Sequence, residues 1–399
     1  MSKSSSLKVF SPWPSFSQHE ADEVSRVLLS NKVNYWTGDE GRNFENEFAS
    51  FADCKYAVAV ANGTLALDLA LLALGIGAGD EVIVTPRTFL ASVSCIVNAG
   101  AKPVFADVDI DSQNITAETI AAVLTNKTKA IICVHLAGWP CDMDAIMALA
   151  KEHDLKVIED CAQAHGAKYK GRSVGSIGHI GCWSFCQDKI ITTGGEGGMV
   201  TTNDKVLWTK MWSFKDHGKS FDAVYHKQHP PGFRWLHESF GTNWRLTEMQ
   251  SAIGRIQLQR MNDWHKKRTD NALAIAKACE PFSANGLLRV PVPSSDIEHA
   301  FYKFYIFLEP AMLKPNWTRD RIIDEVNQRG VPCFQGACPE VYLEKAFENT
   351  GFRPVKRLPV AKKLGETSLM FLVHPTLTTQ EIGQTGIILN EVVNKAACC

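Results

Sequence analysis

Ala130-Ile131-Ile132-Cys133-Val134-His135, a helix-patterned segment from Met143 to His153, then Lys156-Val157-Ile158-Glu159-Asp160: this stretch decides the fold. Two short apolar runs flank a segment whose apolar residues recur with helical spacing. A strand, a helix and a second strand of these lengths form a βαβ unit, which makes the two strands parallel. The runs alternate little between apolar and polar residues, so both faces of each strand are buried. The pattern extends outward over residues 50 to 205. Thr64 to Leu74 (TLALDLALLAL) reads as a helix, followed by the turn Gly75-Ile76-Gly77-Ala78-Gly79-Asp80 and the strand Glu81-Val82-Ile83-Val84. Residues 89–99 and Thr116 to Leu124 read as further helices, with the strand Pro103 to Val108 between them.

The second half changes character. Residues 207–245 are rich in Trp, His, Lys and Phe around Pro230-Pro231-Gly232 and show weak periodicity, which predicts a long functional loop. Thr247 to Ala278 reads as one long amphipathic helix. Tyr302 to Leu308 follows as a strand, then helices over Arg319 to Arg329 and from Thr379 to about Lys395. The expected architecture is α/β: a large domain over residues 20–261 with a mostly parallel central sheet, and a smaller α+β domain over 262–399 joined by residues 1–19.

Composition narrows the function classes. In 399 residues, 42 basic and 43 acidic side chains leave a formal charge of −1, so no global field draws the chain to nucleic acid or anionic membrane. Met1 to Ser6 is polar, no apolar leader follows it, and no apolar run approaches the length of a membrane span. The 12 cysteines are scattered without a CxxC pair, which reads as buried free thiols in a reducing compartment rather than a metal site. A cytoplasmic protein with no metal is expected.

Three features carry chemistry. Asn62-Gly63-Thr64 lies between the strand-like Ala57-Val58-Ala59-Val60 and the helix that follows. A glycine and a hydroxyl at a helix N-terminus make an anion site, although a plain N-cap has the same pattern. Glu159-Asp160 places acids at the carboxyl end of a parallel strand, where such sheets bind ligands. Ser184 and Lys189 are delivered by an apolar strand into the glycine-rich turn Thr192-Thr193-Gly194-Gly195-Glu196-Gly197-Gly198. Pyridoxal phosphate needs all three: a lysine for its Schiff base, an acid for its ring nitrogen, an anion site for its phosphate.

The chain resembles the DegT/DnrJ/EryC1/StrS sugar aminotransferases, of the fold type I class of pyridoxal phosphate enzymes, from about residue 8 onward. The resemblance is carried by Glu159-Asp160-Cys161-Ala162-Gln163-Ala164-His165-Gly166-Ala167, Gly171 to Gly178, Ser184-Phe185 with Lys189, Gly241 to Gln250, Asn62 to Leu67 and Leu358-Pro359-Val360. It implies that Lys189 forms the Schiff base and shuttles the proton, and that Asp160 pairs with the pyridine nitrogen. Gln163 is implied near the ring hydroxyl, Phe89 stacked on the ring, and Gly63, Thr64 and Ser184 at the phosphate. Asn243 is implied to reach the phosphate of a neighbouring subunit, so the active unit is expected to be a homodimer. Relatives that dehydrate sugars carry His where this chain has Lys189, so transamination is implied.

The implied donor is glutamate. The acceptor is an oxidised sugar for lipopolysaccharide or another surface polysaccharide: either the 8-oxo form of the octulosonic acid Kdo, giving the 8-amino sugar Kdo8N, or a nucleotide-linked keto-sugar. Arg234 or Lys219, in or beside the aromatic segment His226 to Ser239, would meet its negative group. The alternative is a non-catalytic, cofactor-binding regulator of the same fold. Such proteins usually carry a basic DNA-binding appendage, and none is visible in the sequence.

Overall fold

The computed structural model describes residues 10–398; Met1 to Ser6, read above for a leader, lie outside them. The apolar runs of the first half become β1 (Tyr56–Val60), β2 (Glu81–Val84), β3 (Lys102–Phe105), β4 (Thr128–Val134) and β5 (Lys156–Asp160). A small hairpin, β6 (Lys168–Tyr169) and β7 (Arg172–Ser173), precedes β8 (Ile180–Ser184) and β9 (Gly198–Thr202). Seven of them form one sheet in the order β1-β9-β8-β5-β4-β2-β3. The pairs joined by helical crossovers are parallel; β9, reached from β8 through the glycine-rich turn, runs antiparallel to both its neighbours. This is the mostly parallel α/β sheet expected.

The helix Gly63–Leu74 is almost wholly apolar because most of it is covered: Ala66, Leu67, Leu69, Ala70 and Leu71 are all buried, the helix Ala91–Asn98 packs beside it, and Leu72 alone of its large apolar residues is exposed. It ends at Gly75, whose φ of 73° only glycine adopts without strain.

A second sheet, β10 (Leu288–Arg289), β12 (Phe304–Leu308), β14 (Ser368–Phe371) and β13 (Cys333–Phe334) in that order, is antiparallel and packs against the helices Met261–Ala278, Arg319–Gln328 and Thr379–Ala396. The remaining strand, β11 (Ile297–Glu298), pairs with β6 of the first half. Residues 341–361 return to the large sheet: Val341 N–H donates to the Pro86 carbonyl at 2.8 Å, and the amides of Val360 and Ala361 donate to the Asp107 carboxylate at 2.9 Å.

Two expectations are corrected. Residues 205–215 are not loop but the helix Lys205–Lys215. Asp204 caps it by accepting from the amides of Val206 and Leu207, and Met211, Trp212 and Lys215 form its buried face. Its aromatics hide the period because they pack laterally: Trp212 meets Trp36 and Phe221 edge-on, at 6.0 and 5.0 Å between centroids. The long helix from Thr247 is two helices, Glu248–Gln259 and Met261–Ala278. They break at Arg260, whose amide closes a tight turn on the Gln257 carbonyl while its guanidinium pairs with Glu20. Among the described residues no helix is long and apolar enough to cross a membrane, and the described cysteines are free thiols, most of them buried.

The carboxyl end of β5 carries a buried acid that organises the loop beside it. Glu159 accepts from the amides of Gly175, Ile177 and Gly178 at 2.8, 2.9 and 2.6 Å, and from His135 Nε2 at 3.0 Å. His135 Nδ1 accepts from the Cys141 amide, so the proton lies on Nε2. Burial works against the Glu159 charge, but these donors outweigh it and hold the carboxyl below its ordinary value. The Cys161 thiol lies close by, yet His135 and Glu159 already spend their polar atoms on the protein. Replacing Glu159 by Ala strands four buried donors, and we expect a loss of about 3 kcal/mol or more of stability, read from denaturant unfolding of the cofactor-free protein. A loss of less than about 1 kcal/mol would mean the 175–178 loop is held by other contacts.

Candidate active site

The helix Gly63–Leu74 starts at the carboxyl end of β1, capped by Asn62, whose Oδ1 accepts from the Leu65 amide at 2.9 Å. Its first residues lie directly on the end of β8. A Cβ at Gly63 would come 2.5 Å from Ser184 Cβ, and one at Gly198 would come 2.4 Å from the Asn62 carbonyl. The two glycines let the first-turn amides and the Ser184 hydroxyl share one small space, with the positive end of the helix dipole aimed at it. That cradle suits a phosphate.

Two strands of the sheet separate β1 from β5, where Asp160 ends the strand. Asp160 is buried, and its Oδ2 accepts from Ser92 Oγ at 2.7 Å while Oδ1 accepts from the Ala162 amide at 3.1 Å. Ser92 has thereby spent its only proton, so at 2.8 Å it accepts from Thr88 Oγ1. Phe89, between these two hydroxyl residues, is 71% exposed, and its carbonyl accepts from the Ser92 amide. Gln163 uses its Oε1 to fix the backbone at Ala137, accepting from that amide at 2.8 Å.

Ala137 and Gly138 have positive φ, 56° and 95°. Their carbonyls receive the amides of Tyr302 and Ala300, both at 2.9 Å, which sews the segment leading into β12 onto the carboxyl edge of the large sheet.

That segment faces Lys189. The Lys189 carbonyl accepts from Trp13 Nε1 at 2.9 Å, and its Nζ lies 5.2 Å from the centroid of the Tyr302 ring. Among the described residues this ammonium has no hydrogen bond and no ion pair. The Tyr302 hydroxyl donates to Asp188, and burial together with that carboxylate pushes the phenol well above its ordinary range. Lys303 Nζ stands 4.7 Å from the same ring, and burial lowers it to about 8 against the opposing pull of Asp188. Arg268, wholly buried behind the Trp13 ring, is lowered to about 9 by burial. His165, packed against Trp183 and Phe185, is lowered to about 3, first by burial and then by the charges of Lys189 and Arg268.

The sequence-predicted residues therefore fall into two groups. Gly63, Thr64, Ser184, Phe89, Asp160, Gln163 and Lys189 stand at or just beyond the carboxyl ends of the large sheet's parallel strands. Lys219, Arg234 and Asn243 share no hydrogen bond or ion pair with them. Lys219 Nζ is taken by Asp216 at 3.2 Å and lies 4.0 Å over the Trp36 ring. Arg234 is exposed between Phe233 and Trp235, whose rings meet edge-on at 4.8 Å and are 75% and 83% exposed. Asn243 is exposed, its backbone bridged to Asp216. Sequence reading missed Ser92, Thr88, Trp13, Tyr302 and Lys303, none of which stands in a motif.

The arrangement has the parts that pyridoxal phosphate requires: a glycine-lined anion cradle, a buried carboxylate held by a hydroxyl, and a lysine amine without a partner. The family model for the DegT/DnrJ/EryC1/StrS aminotransferase family matches residues 14–388. The crystal structure of an aminotransferase from Psychrobacter cryohalolentis is 69% identical, with a TM-score of 0.96, covering 97% of this chain and 99% of that one. GDP-perosamine synthase of Escherichia coli O157:H7 is 38% identical over 92% of this chain and 94% of its own length. The dTDP-3-amino-3,6-dideoxy-alpha-D-galactopyranose transaminase of Aneurinibacillus thermoaerophilus is 39% identical over 90% and 91%. With its fold, its site and nearly its whole length in agreement, the chain belongs to the DegT/DnrJ/EryC1/StrS family of sugar aminotransferases, enzymes that depend on pyridoxal phosphate.

Proposed function

We infer that the chain moves an amino group from an amino-acid donor, glutamate by the family resemblance, to the carbonyl of an oxidised sugar destined for lipopolysaccharide or another surface polysaccharide. The observation that carries this reading is that the unpaired Lys189 ammonium, a buried Asp160 and the Gly63–Ser184 cradle all stand at the carboxyl ends of the large sheet's strands. Bound pyridoxal phosphate supplies an electron sink that weakens the bond to hydrogen on the amine-bearing carbon.

The chain's own residues do the rest. Gly63, Thr64 and Ser184 bind the phosphate. Asp160 keeps a proton at the ring nitrogen, and Ser92 and the Ala162 amide hold that carboxylate in place. Gln163 sits at the ring hydroxyl, and Phe89 covers the ring with a face now open to solvent. Lys189 holds the cofactor at rest and, once freed, carries the proton between the two carbons involved. Borohydride reduction of the holoenzyme followed by peptide mapping is expected to place the pyridoxyl group on Lys189. A label on another lysine overturns the assignment.

Asn243 is placed on the surface by its backbone pairing with Asp216, as a residue that serves a neighbour must be. The active unit is then a homodimer with shared sites. Mixing Lys189→Ala and Asn243→Ala chains, each inactive alone, is expected to restore one working site per mixed dimer. A verified mixed dimer with no recovered activity would put both residues in one chain's own site.

Two acceptors fit. The relatives named above bear GDP- and dTDP-linked sugars in their names, which supports a nucleotide-linked keto-sugar. The 8-oxo form of Kdo, yielding Kdo8N, needs only a clamp for one carboxylate, and exposed Arg234 suits that role better than Lys219, whose charge Asp216 already meets. Amination followed by mass spectrometry, with L-glutamate as donor and each sugar class in turn, separates them. Turnover of the sugar acid alone excludes the nucleotide-linked reading, and the converse excludes Kdo8N.

A further inference from the structure

Lys303 is a cation beside the Tyr302 ring that the roles assigned above leave unused. It immediately precedes β12 and is half-buried, and among the described residues no hydrogen bond or ion pair reaches its ammonium. A half-buried ammonium with no bonded partner is free to meet an anion. The acid that acts on it is Asp188, and that carboxylate already accepts from the Tyr302 hydroxyl. The other charges acting on Lys303 are Arg268 and Lys189, both positive. The site thus holds more positive than negative charge at this point, around one phenol ring.

Its backbone is fixed. The amides of Ala300 and Tyr302 are bonded to the carbonyls of Gly138 and Ala137, and the Ala137 amide is bonded to Gln163. The Arg268 guanidinium sits at 3.4 Å from the carbonyls of Phe301 and Tyr302. Lys303 is therefore carried by the same frame that carries Gln163, and its ammonium lies 4.7 Å from the ring centroid that the Lys189 ammonium approaches to 5.2 Å.

We propose that Lys303 receives the α-carboxylate of the amino-acid donor. The inference rests on Lys189 being the lysine at which the amino group is exchanged. An α-carboxylate is attached to the carbon that bears the reacting nitrogen, so its receptor must stand near that lysine, and the Lys303 and Lys189 ammoniums approach the same Tyr302 ring. The carboxylate of an eight-carbon sugar acid reacting at its far end lies several carbons away and requires a different cation.

The test compares L-glutamate with 4-aminobutyrate, which is glutamate without its α-carboxylate, in holoenzyme carrying Lys303, Lys303→Met or Lys303→Arg. Conversion of the lysine-bound cofactor is followed by absorbance, and binding of 2-oxoglutarate to the same holoenzyme by calorimetry. Lys303→Met is expected to weaken L-glutamate and 2-oxoglutarate by about tenfold or more, to leave 4-aminobutyrate within about threefold, and to leave the sugar half-reaction within about threefold; Lys303→Arg restores most of the loss. If Lys303→Met does not load cofactor, Lys303→Gln repeats the comparison. Equal weakening of L-glutamate and 4-aminobutyrate, or unchanged 2-oxoglutarate binding, overturns the proposal. A pyridoxyl label away from Lys189 in the wild-type enzyme sinks the reading beneath it instead.

Discussion

The structure turns on the last two residues of one strand. Side chains alternate along β5, so Glu159 and Asp160, adjacent in sequence, leave the sheet on opposite faces. Glu159 goes inward, where three backbone amides and His135 meet its charge and the 175–178 loop is pinned. Asp160 goes outward into the crevice, where one hydroxyl and one amide hold it and leave room for a further partner. A one-residue slip of β5 against its parallel neighbours would exchange them. Register is guarded on both sides by near-continuous apolar pairing, Ile132 with Ile158 toward β4 and Ile158 with Ile180 toward β8.

Much of the large sheet was legible because its strands are short apolar runs between helices, and the chemistry of a parallel sheet collects at its carboxyl ends. Gly63, Asp160, Ser184 and Lys189 could be picked out for that reason. Ser92 could not. It is one small polar residue among the apolar ones of FLASVSCIVNA, and only the crossing of the helix Ala91–Asn98 over the end of β5 gives it a partner 68 positions away. Trp13 and Tyr302 were hidden in the same way, since each reaches Lys189 or Asp188 across more than a hundred residues. The helix Lys205–Lys215 was missed for a different reason. Its apolar residues are large aromatics that pack sideways into other aromatics, so burial spreads around the helix and blurs the period.

That aromatic layer also explains how a loop of such composition is displayed rather than collapsed. Lys215 is fully buried with its ammonium 3.4 Å from the Tyr35 ring centroid and 3.8 Å from Glu45, and burial lowers it. Next to it, buried Asp216 gathers Arg245, Lys219 and the Trp36 indole. These buried charges fix residues 215–217 against 242–244 through backbone bonds from His217 to Thr242 and from Trp244 to Lys215. The segment between is tied at its base by Ser220 to Leu236 and Glu238 to Gly218 and crossed by the Lys227–Glu238 ion pair, while Phe233, Arg234, Trp235 and Phe240 stand outward.

A transaminase must admit two unlike substrates to one lysine, and the charges of this chain are distributed in a way that meets the demand. Near Lys189, Lys303 stands on a backbone held to the sheet edge through Ala137, Gly138 and Gln163. Far from it along the chain, Arg234 sits exposed on a displayed loop. In the reading proposed here, the donor, whose negative group is always one carbon from the reacting nitrogen, meets the cation on the fixed backbone. The acceptor, whose negative group lies at the end of a long sugar, meets the displayed one. A fixed receptor suits a fixed distance, since ordering costs least where nothing has to move. A loop suits a distance that depends on the sugar, because its aromatic faces pack on a ring without dictating where that ring's charge must fall.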